Sequence, residues 1–429
     1  MTSGSPGKLA CVVVMALAVL AVAPAAFAQS SGSGNDNSQG NSGENSQRRL
    51  NPRTYVIIQN ARQLMSANKY AEARKELAKL DIDGLKPFGV SRVELVLANI
   101  DNIQQKYSSA RRHLQKALAS GGLNEKETSS VRMNIAQLYL VEKEWAPAAK
   151  ALEEWLQHAK HPGSRAYFLL AIAYYRQDKH DKALAPAQKA VRLMETPDAS
   201  RMRLLLSLYS ERKDYEKAVE LAKQMVGLWP KNKTYWLMLA SFYQANKNSD
   251  MALAAVQLAY NAGYLTEDDE YLRLADLLLF NRIPRRCASV LDAALANDTI
   301  KPSVESYKKL GNCWIAAREF KKALVPLRRA AQLSDDGNLY VRLAEAQLQS
   351  HDWKGAVTAI GNAFDKGDLD DTAHAWYIMG IALFKQHELK KASNWFKRAA
   401  RDKDYRENAT AYLNAISACT AQPDLGWCR

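Results

Sequence analysis

The sequence has few of the features that mark an enzyme. Its 429 residues contain no nucleophile elbow and no glycine-rich phosphate loop. The seven histidines are scattered, with no cysteines or carboxylates at zinc-ligand spacing. Acidic clusters at 266–270 and 368–371 lack the pattern of a calcium loop, and Thr266 with Asp269 is arranged like a helix capping box. We therefore expect no catalytic residue, no metal and no cofactor.

Long apolar runs are absent except near the beginning of the chain. There, Lys8 precedes fourteen apolar residues, 9–22, which end before the small-residue sequence Ala26-Phe27-Ala28. The run is shorter than the roughly 20 residues that span a bilayer, so residues 1–28 are predicted to be a signal peptide cleaved after Ala28. Residues 29–50 are rich in Ser, Gly, Asn and Gln, which predicts a disordered tether.

Cysteine is also scarce, with five residues in the chain. Cys419 and Cys428 close a short loop at the carboxyl end, and in an exported protein such a pair is expected to form a disulfide. Cys287 and Cys313 fall on adjacent predicted helices, so a disulfide between them is possible. Two separate buried thiols are the favoured interpretation, because Cys287 occupies a position that requires a small apolar side chain.

What the chain has in abundance is a helical repeat, seen most clearly in Val304–Asp336. One apolar face is marked at i, i+3, i+4 and i+7 by Tyr307, Leu310, Gly311 and Trp314. After a polar break, a second face is marked by Ala323, Leu327 and Ala330. The segment is therefore predicted to form two short helices joined by a turn, with small residues where the helices approach closely.

The same unit occurs ten times. We call the position of Ala323 the repeat alanine; it is occupied by Ala73, Ala110, Ala148, Ala183, Ala218, Ala252, Cys287, Ala323, Ala356 and Ala392, at intervals of 33 to 38 residues. This pattern resembles the tetratricopeptide repeat (TPR). The resemblance implies an all-α fold, in which helix-turn-helix units stack in a right-handed superhelical solenoid. About ten repeats are expected over 51–405, followed by a capping helix and a cysteine-bracketed tail over 406–429.

A repeat fold of this kind offers a concave surface rather than a catalytic cleft. The inward-facing first-helix positions supply the candidate binding residues: Phe168, Ile172, Tyr175, Arg176, Arg203, Lys308, Asn312, Val341, Glu345, Tyr377, Ile381 and Lys385. Their mixture of aromatic, aliphatic and basic side chains suits an extended peptide with acidic or C-terminal character. Lys308 and Asn312 resemble half of the carboxylate clamp of chaperone-docking repeats, but the next unit lacks the remaining residues.

The region from Trp236 to Arg401 resembles a more specific family. Segments such as AYNAGYLTEDDEYLRLADLLLFNRIPRRCASVLDAAL and HAWYIMGIALFKQHELKKASNWFKRAARD are similar to periplasmic tetratricopeptide proteins associated with TonB, ExbB and ExbD. The resemblance implies a non-enzymatic periplasmic scaffold, an accessory of TonB-dependent uptake of nutrients or iron chelates. The alternative is a scaffold for outer-membrane or cell-wall assembly.

The net charge of +14 is spread over many repeats. A nucleic-acid-binding protein would more often concentrate its charge in one patch, so no nucleic-acid partner is expected. The expected partners are proteins, including TonB-system components. An anionic membrane surface is a further candidate, whereas a small-molecule substrate is not expected.

Overall fold

The computed structural model describes residues 49–421, and all twenty-one elements in this range are α-helices. The predicted signal peptide and most of the tether lie outside the described residues, as does Cys428, so the Cys419–Cys428 pairing stays a prediction. The chain divides into two compact units at Asp214 and Tyr215. The predicted all-α fold of repeated helix pairs is confirmed.

The amino-terminal unit contains four helix pairs followed by one first helix. Its helices are α1 (Pro52–Ser66), α2 (Tyr70–Leu77), α3 (Pro87–Ile103), α4 (Tyr107–Ala119), α5 (Glu125–Val141), α6 (Trp145–His158), α7 (Ser164–Tyr175), α8 (His180–Arg192) and α9 (Ala199–Glu211). From α1 to α9, each helix packs against its neighbours within this unit. The apolar residues between them are buried, with Ile58, Leu114 and Leu169 each at most 2% exposed.

The carboxyl-terminal unit begins with a second helix and continues through five pairs. Its helices are α10 (Tyr215–Leu228), α11 (Lys233–Ala245), α12 (Ser249–Asn261), α13 (Asp268–Phe280), α14 (Pro284–Ala296), α15 (Val304–Ala316), α16 (Phe320–Gln332), α17 (Gly337–Gln349), α18 (Trp353–Lys366), α19 (Thr372–Lys385), α20 (Leu389–Ala399) and α21 (Arg406–Ala421). The last helix packs on α20 and buries Ala409 and Ile416.

The repeat alanine positions are the most deeply buried feature of the fold. All ten are 0% exposed, including Cys287. Two first helices carry a glycine that faces the second helix of the same repeat. A Cβ added at Gly311 would lie 2.5 Å from Leu327 Cδ2, and one at Gly380 would lie 2.7 Å from Phe396 Cε1. In each case the large side chain lies four residues after the repeat alanine. Small residues therefore set how closely the helices approach.

Every first helix ends in the same left-handed turn. Exactly five residues before each repeat alanine, a non-glycine residue has φ between 56° and 64°: Asn68, Gln105, Lys143, Asp178, Lys213, Lys247, Arg282, Arg318, His351 and His387. The backbone closes as a Schellman motif, in which Arg318 N–H donates to Ile315 and Glu319 N–H donates to Trp314. This turn reverses the chain without a glycine.

Two expectations about local structure need correction. Cys287 and Cys313 are joined in a disulfide, with Cα atoms 5.7 Å apart. The favoured interpretation of separate thiols is wrong, because the close approach of α14 and α15 brings the Cα atoms within disulfide range. The capping box of α13 is formed by Glu267 and Glu270, one residue beyond the predicted Thr266 and Asp269. The backbone N–H groups of both Thr266 and Glu267 donate to the Glu270 carboxylate.

Candidate functional site

The carboxyl-terminal unit has a groove along three successive first helices, α15, α17 and α19. It has a volume of about 680 Å³ and includes the α15–α16 turn. Its lining residues are Ile315, Arg318, Phe320, Arg342, Glu345, Ala346, Leu348, Gln349, His374, Tyr377, Ile378 and Ile381. Because these helices also bury apolar side chains in the core beneath, the groove has a packed base.

Helical spacing brings the lining residues to one face. On α17, Arg342, Glu345 and Gln349 lie at i, i+3 and i+7, and on α19 the same spacing is held by His374 and Tyr377 with Ile381. These intervals place side chains on a single face of a helix. The groove is therefore a consequence of the repeat stacking and needs no irregular loop.

The groove carries more basic than acidic charge. Among its lining residues, Glu345 is the one carboxylate, and its Oε1 lies 3.6 Å from His374 Nε2. Arg318 and Arg342 form no ion pair with any described residue, and the Nε of Arg342 is buried without a hydrogen-bond partner. A guanidinium in this state has donors available for an anionic ligand.

An aromatic cluster fixes one wall of the groove. The Tyr377 ring centroid lies 5.9 Å from that of Phe396 and 5.5 Å from that of Tyr405. Burial, with a smaller contribution from Tyr412, raises the pKa of Tyr377 above its ordinary value. The Tyr377 hydroxyl is therefore neutral at physiological pH, and it forms no hydrogen bond with any described residue. It can donate to or accept from a ligand.

His374 is held by the same cluster. Its ring stacks on Tyr405 with centroids 5.6 Å apart and an interplanar angle of 18°. The Tyr405 hydroxyl donates to Asp371 Oδ2 over 2.8 Å, and burial together with this carboxylate raises the pKa of Tyr405. Asp371 also caps α19 by accepting from the His374 backbone N–H. The position of His374 next to Glu345 is thus set by the beginning of α19.

The structure brings together three of the predicted binding residues, Glu345, Tyr377 and Ile381. Lys308 and Asn312 instead line a separate cavity of about 360 Å³ at the beginning of α15. Lys385 lies one turn beyond Ile381, at the exposed end of α19. The predicted position at Val341 needs correction, since Val341 is 9% exposed and packs in the core, whereas the following residue, Arg342, lines the groove.

The predicted residues of the amino-terminal unit are engaged within that unit. Ile172 is 5% exposed and buried in the helix packing, so it does not lie on an open surface. Phe168 lies 5.4 Å from the Arg201 guanidinium, and Arg176 lies 6.0 Å from the Trp145 ring. Tyr175 packs against His180, with ring centroids 5.2 Å apart. Arg203 is half-buried, and its carbonyl accepts a hydrogen bond from Ser207.

Sequence reasoning missed the groove residues that carry unpaired charge. Arg342 was missed because the inward face of α17 was placed one residue too early. Arg318 was missed because it lies in the turn and not on a first helix. A search for basic residues adjacent to the first-helix stripes could have found both.

The described residues show a buried charge cluster in the amino-terminal unit, but its groups are paired with one another. His113 Nδ1 lies 2.5 Å from Glu94 and its Nε2 lies 3.5 Å from Asp101, while Arg74 also contacts Asp101. Across residues 49–421, no group of three or more His, Cys, Asp or Glu side chains is placed to hold a metal ion. None of the helices described is long and apolar enough to cross a membrane.

Comparison with known proteins agrees with the repeat assignment. A tetratricopeptide repeat profile matches residues 104–164, 148–200 and 341–409. The BBSome complex member BBS4 homolog of Drosophila melanogaster is 22% identical over 320 residues, covering 70% of this chain. The chain spans 62% of the length of that relative.

Several solved repeat structures are also similar. A tetratricopeptide repeat protein from Parabacteroides merdae is 13% identical and matches with a TM-score of 0.35, over 70% of this chain and 100% of its own. YrrB, described as a TPR protein with an unusual peptide-binding site, is 15% identical with a TM-score of 0.35, over 44% of this chain and 90% of its own. The profile identifies tetratricopeptide repeats at 104–200 and 341–409, and the rest of the described chain continues the same pattern of helix pairs.

Proposed function

We propose that this protein is a non-enzymatic scaffold that binds a segment of a protein partner in the groove along α15, α17 and α19. The observation that carries the proposal is the groove itself, which combines apolar walls with two arginines that form no ion pair within residues 49–421. Extended peptides bind such surfaces through side-chain pockets and a small number of fixed polar groups.

Site-specific photo-crosslinking tests the proposal directly. A photoreactive phenylalanine analogue is placed at Ile381 or at Gln349 in the groove, and at Thr358, an exposed residue of α18, as the matched control. We expect ultraviolet light in intact cells to join a partner protein to the groove positions and not to the control. The proposal fails if neither groove position captures a protein above the level of the control.

The proposed compartment is the periplasm, and the proposed partners are components of TonB-dependent energy transduction. The support for this assignment is the signal-like sequence at 1–28 and the resemblance of the carboxyl-terminal half to TonB-associated repeat proteins. Deletion of the gene should impair growth when iron is supplied only as a large chelate. Normal growth on that source, together with a leaky envelope, would instead favour a role in outer-membrane or cell-wall assembly.

We also propose that an anionic membrane surface attracts the second helices. Helices α16 and α20 each carry four exposed cations and no acidic residue: Lys321, Lys322, Arg328, Arg329, Lys390, Lys391, Lys397 and Arg398. Apart from the pairs Lys322–Glu319 and Lys391–Glu388, these cations make no ion pair with described residues. Co-sedimentation should be seen with phosphatidylglycerol vesicles and not with phosphatidylcholine vesicles. Equal sedimentation with both would refute the proposal.

A further inference from the structure

We propose that the groove selects an acidic extended segment, binding its carboxylate through Arg342 and an apolar side chain of the same segment against Tyr377 and Ile381. This inference rests on the proposed peptide-binding function and specifies its ligand. The ligand class is a peptide with one carboxylate and one large apolar residue a few positions apart.

Arg342 carries the first step of the argument. Its side chain is half-buried on α17 and lines the groove, and it makes no ion pair with any residue that the structure describes. A guanidinium that lines a groove and has no partner carboxylate keeps donors available for an acceptor that enters the groove. The planar guanidinium matches a carboxylate with two parallel hydrogen bonds.

The charges around Arg342 determine the sign of the ligand. Arg318 adds a second guanidinium at the α15–α16 turn, and it too pairs with no carboxylate in the described part of the chain. Glu345 is the one acidic lining residue, and it faces His374 across 3.6 Å. A basic ligand would meet two like charges, whereas an acidic ligand would neutralise them.

The apolar walls explain why the ligand is a peptide segment and not a bare anion. Tyr377 and Ile381 lie one turn apart on α19, and Ile315 faces the groove from α15. Phe396 and Tyr405 hold the Tyr377 ring in place, so this wall is formed before any ligand arrives. A preformed apolar wall beside a cation favours a ligand that presents both kinds of group.

Fluorescence anisotropy of labelled peptides tests the assignment on residues 29–429, the chain without the predicted signal peptide. The probes are ten-residue Ser/Gly peptides that carry one Glu and one Leu, with one to four residues between them. Matched probes replace Glu with Gln or Lys. Versions with a free or amidated carboxyl terminus distinguish a side-chain carboxylate from a terminal one.

We expect at least one Glu probe to bind about tenfold or more tightly than its Gln partner, because a charge-assisted hydrogen bond is lost. Arg342→Gln should abolish this preference, and Arg342→Glu should favour the Lys probe. Arg329→Gln is the matched control, since it removes the same charge from an exposed residue of α16 that has no ion pair among the described residues. Circular dichroism verifies that each variant is folded.

The assignment is overturned if Gln probes bind as well as Glu probes, or if Arg342→Gln and Arg329→Gln change the preference equally. Absence of binding by every probe also overturns it. These failures are distinguishable from failure of the proposed function, because photo-crosslinking at Ile381 reports any bound protein whatever its charge. If a partner is captured there but the probes show no preference for a carboxylate, the proposed scaffold function stands and the proposed acidic ligand is wrong.

Discussion

The absence of a side chain at Gly311 sets the spacing between α15 and α16. The space that a Cβ would occupy at Gly311 is filled by Leu327, with Cδ2 2.5 Å and Cγ 2.6 Å from the ideal Cβ position. Gly311→Ala should therefore lower the free energy of unfolding of the carboxyl-terminal unit by about 1 to 3 kcal/mol, since overpacking outweighs the better helix propensity of alanine. Urea titration followed by circular dichroism measures the change.

The control for this substitution is Gly361 in the middle of α18, where an added Cβ meets nothing within 4 Å. Gly361→Ala should raise stability by about 0.5 to 1 kcal/mol, as expected for a helix interior without steric conflict. Shortening the opposing side chain in Gly311→Ala/Leu327→Val should recover part of the loss. Equal effects of the two glycine substitutions would show that spacing is not set at Gly311.

The left-handed turn residues give a second prediction at this scale. Lys247 has φ of 58°, a conformation that costs an L-residue roughly 1 to 2 kcal/mol. Lys247→Gly should raise the free energy of unfolding by about 0.5 to 1 kcal/mol after the entropy of glycine is subtracted. Lys247→Ala keeps the Cβ and should change little. A glycine variant that melts below the alanine variant would contradict the argument.

Single residues also show how far sequence reasoning reaches. The repeat alanine was predictable because one small apolar residue recurs at a nearly constant interval, and all ten positions are buried. The turn conformation was not predictable from residue type, because none of its ten positions is glycine. On α17, Val341 was predicted to face the groove, but the residue that does so is Arg342. Consecutive residues are about 100° apart around a helix, so Val341 points into the core. Glu345, Tyr377 and Ile381 line the groove, and whether they bind a partner stays a prediction.

At the scale of the element, the amino-terminal end of α13 depends on one carboxylate. Burial would raise the pKa of Glu270, but Lys233 and the backbone N–H groups of Thr266 and Glu267 outweigh it, so the pKa lies below the ordinary carboxyl value. The Lys233 Nζ lies 2.8 Å from Glu270 Oε1. The stabilisation is therefore complete above the ordinary carboxyl pKa, and it is lost as the pH falls through the lowered value.

Glu270→Gln should cost about 0.5 to 1 kcal/mol at neutral pH, because the amide can still reach the backbone but loses the ion pair with Lys233. The difference in melting temperature between the wild type and the variant should shrink as the pH falls below about 4. Asp292→Asn, on α14, serves as the control for loss of a carboxylate without an ion pair. A difference that grows in acid would contradict the assigned sign.

The disulfide between Cys287 and Cys313 links α14 to α15 and also stabilises the packing of these helices. Cys287 and Cys313 are 26 residues apart, and a loop of this length stabilises by about 3 to 4 kcal/mol in the chain-entropy account. Cys313→Ala should therefore lower the melting temperature of the oxidised protein, and added reductant should lower that of the wild type more than that of the variant. Identical responses to reductant would show that this bridge does not contribute.

At the scale of the molecule, a stack of repeats requires contact only between neighbouring elements. The groove is lined by α15, α16, α17 and α19, and most of the buried apolar residues between Ala323 and Ile416 belong to one cluster beneath them. Both features lie within the carboxyl-terminal unit. Binding by the groove should therefore need no residue before Tyr215.

The fragment 215–429 should accordingly be helical and should bind the Glu probe within about threefold of the affinity of residues 29–429. The fragment 215–371 is the matched control, because it ends before α19 and so lacks Tyr377 and Ile381. This control fragment should not bind the probe, even if circular dichroism shows that it is still helical. If 215–429 is folded but binds only weakly, residues before Tyr215 contribute to the ligand site. Binding by 215–371 would show that the α19 wall is not part of it.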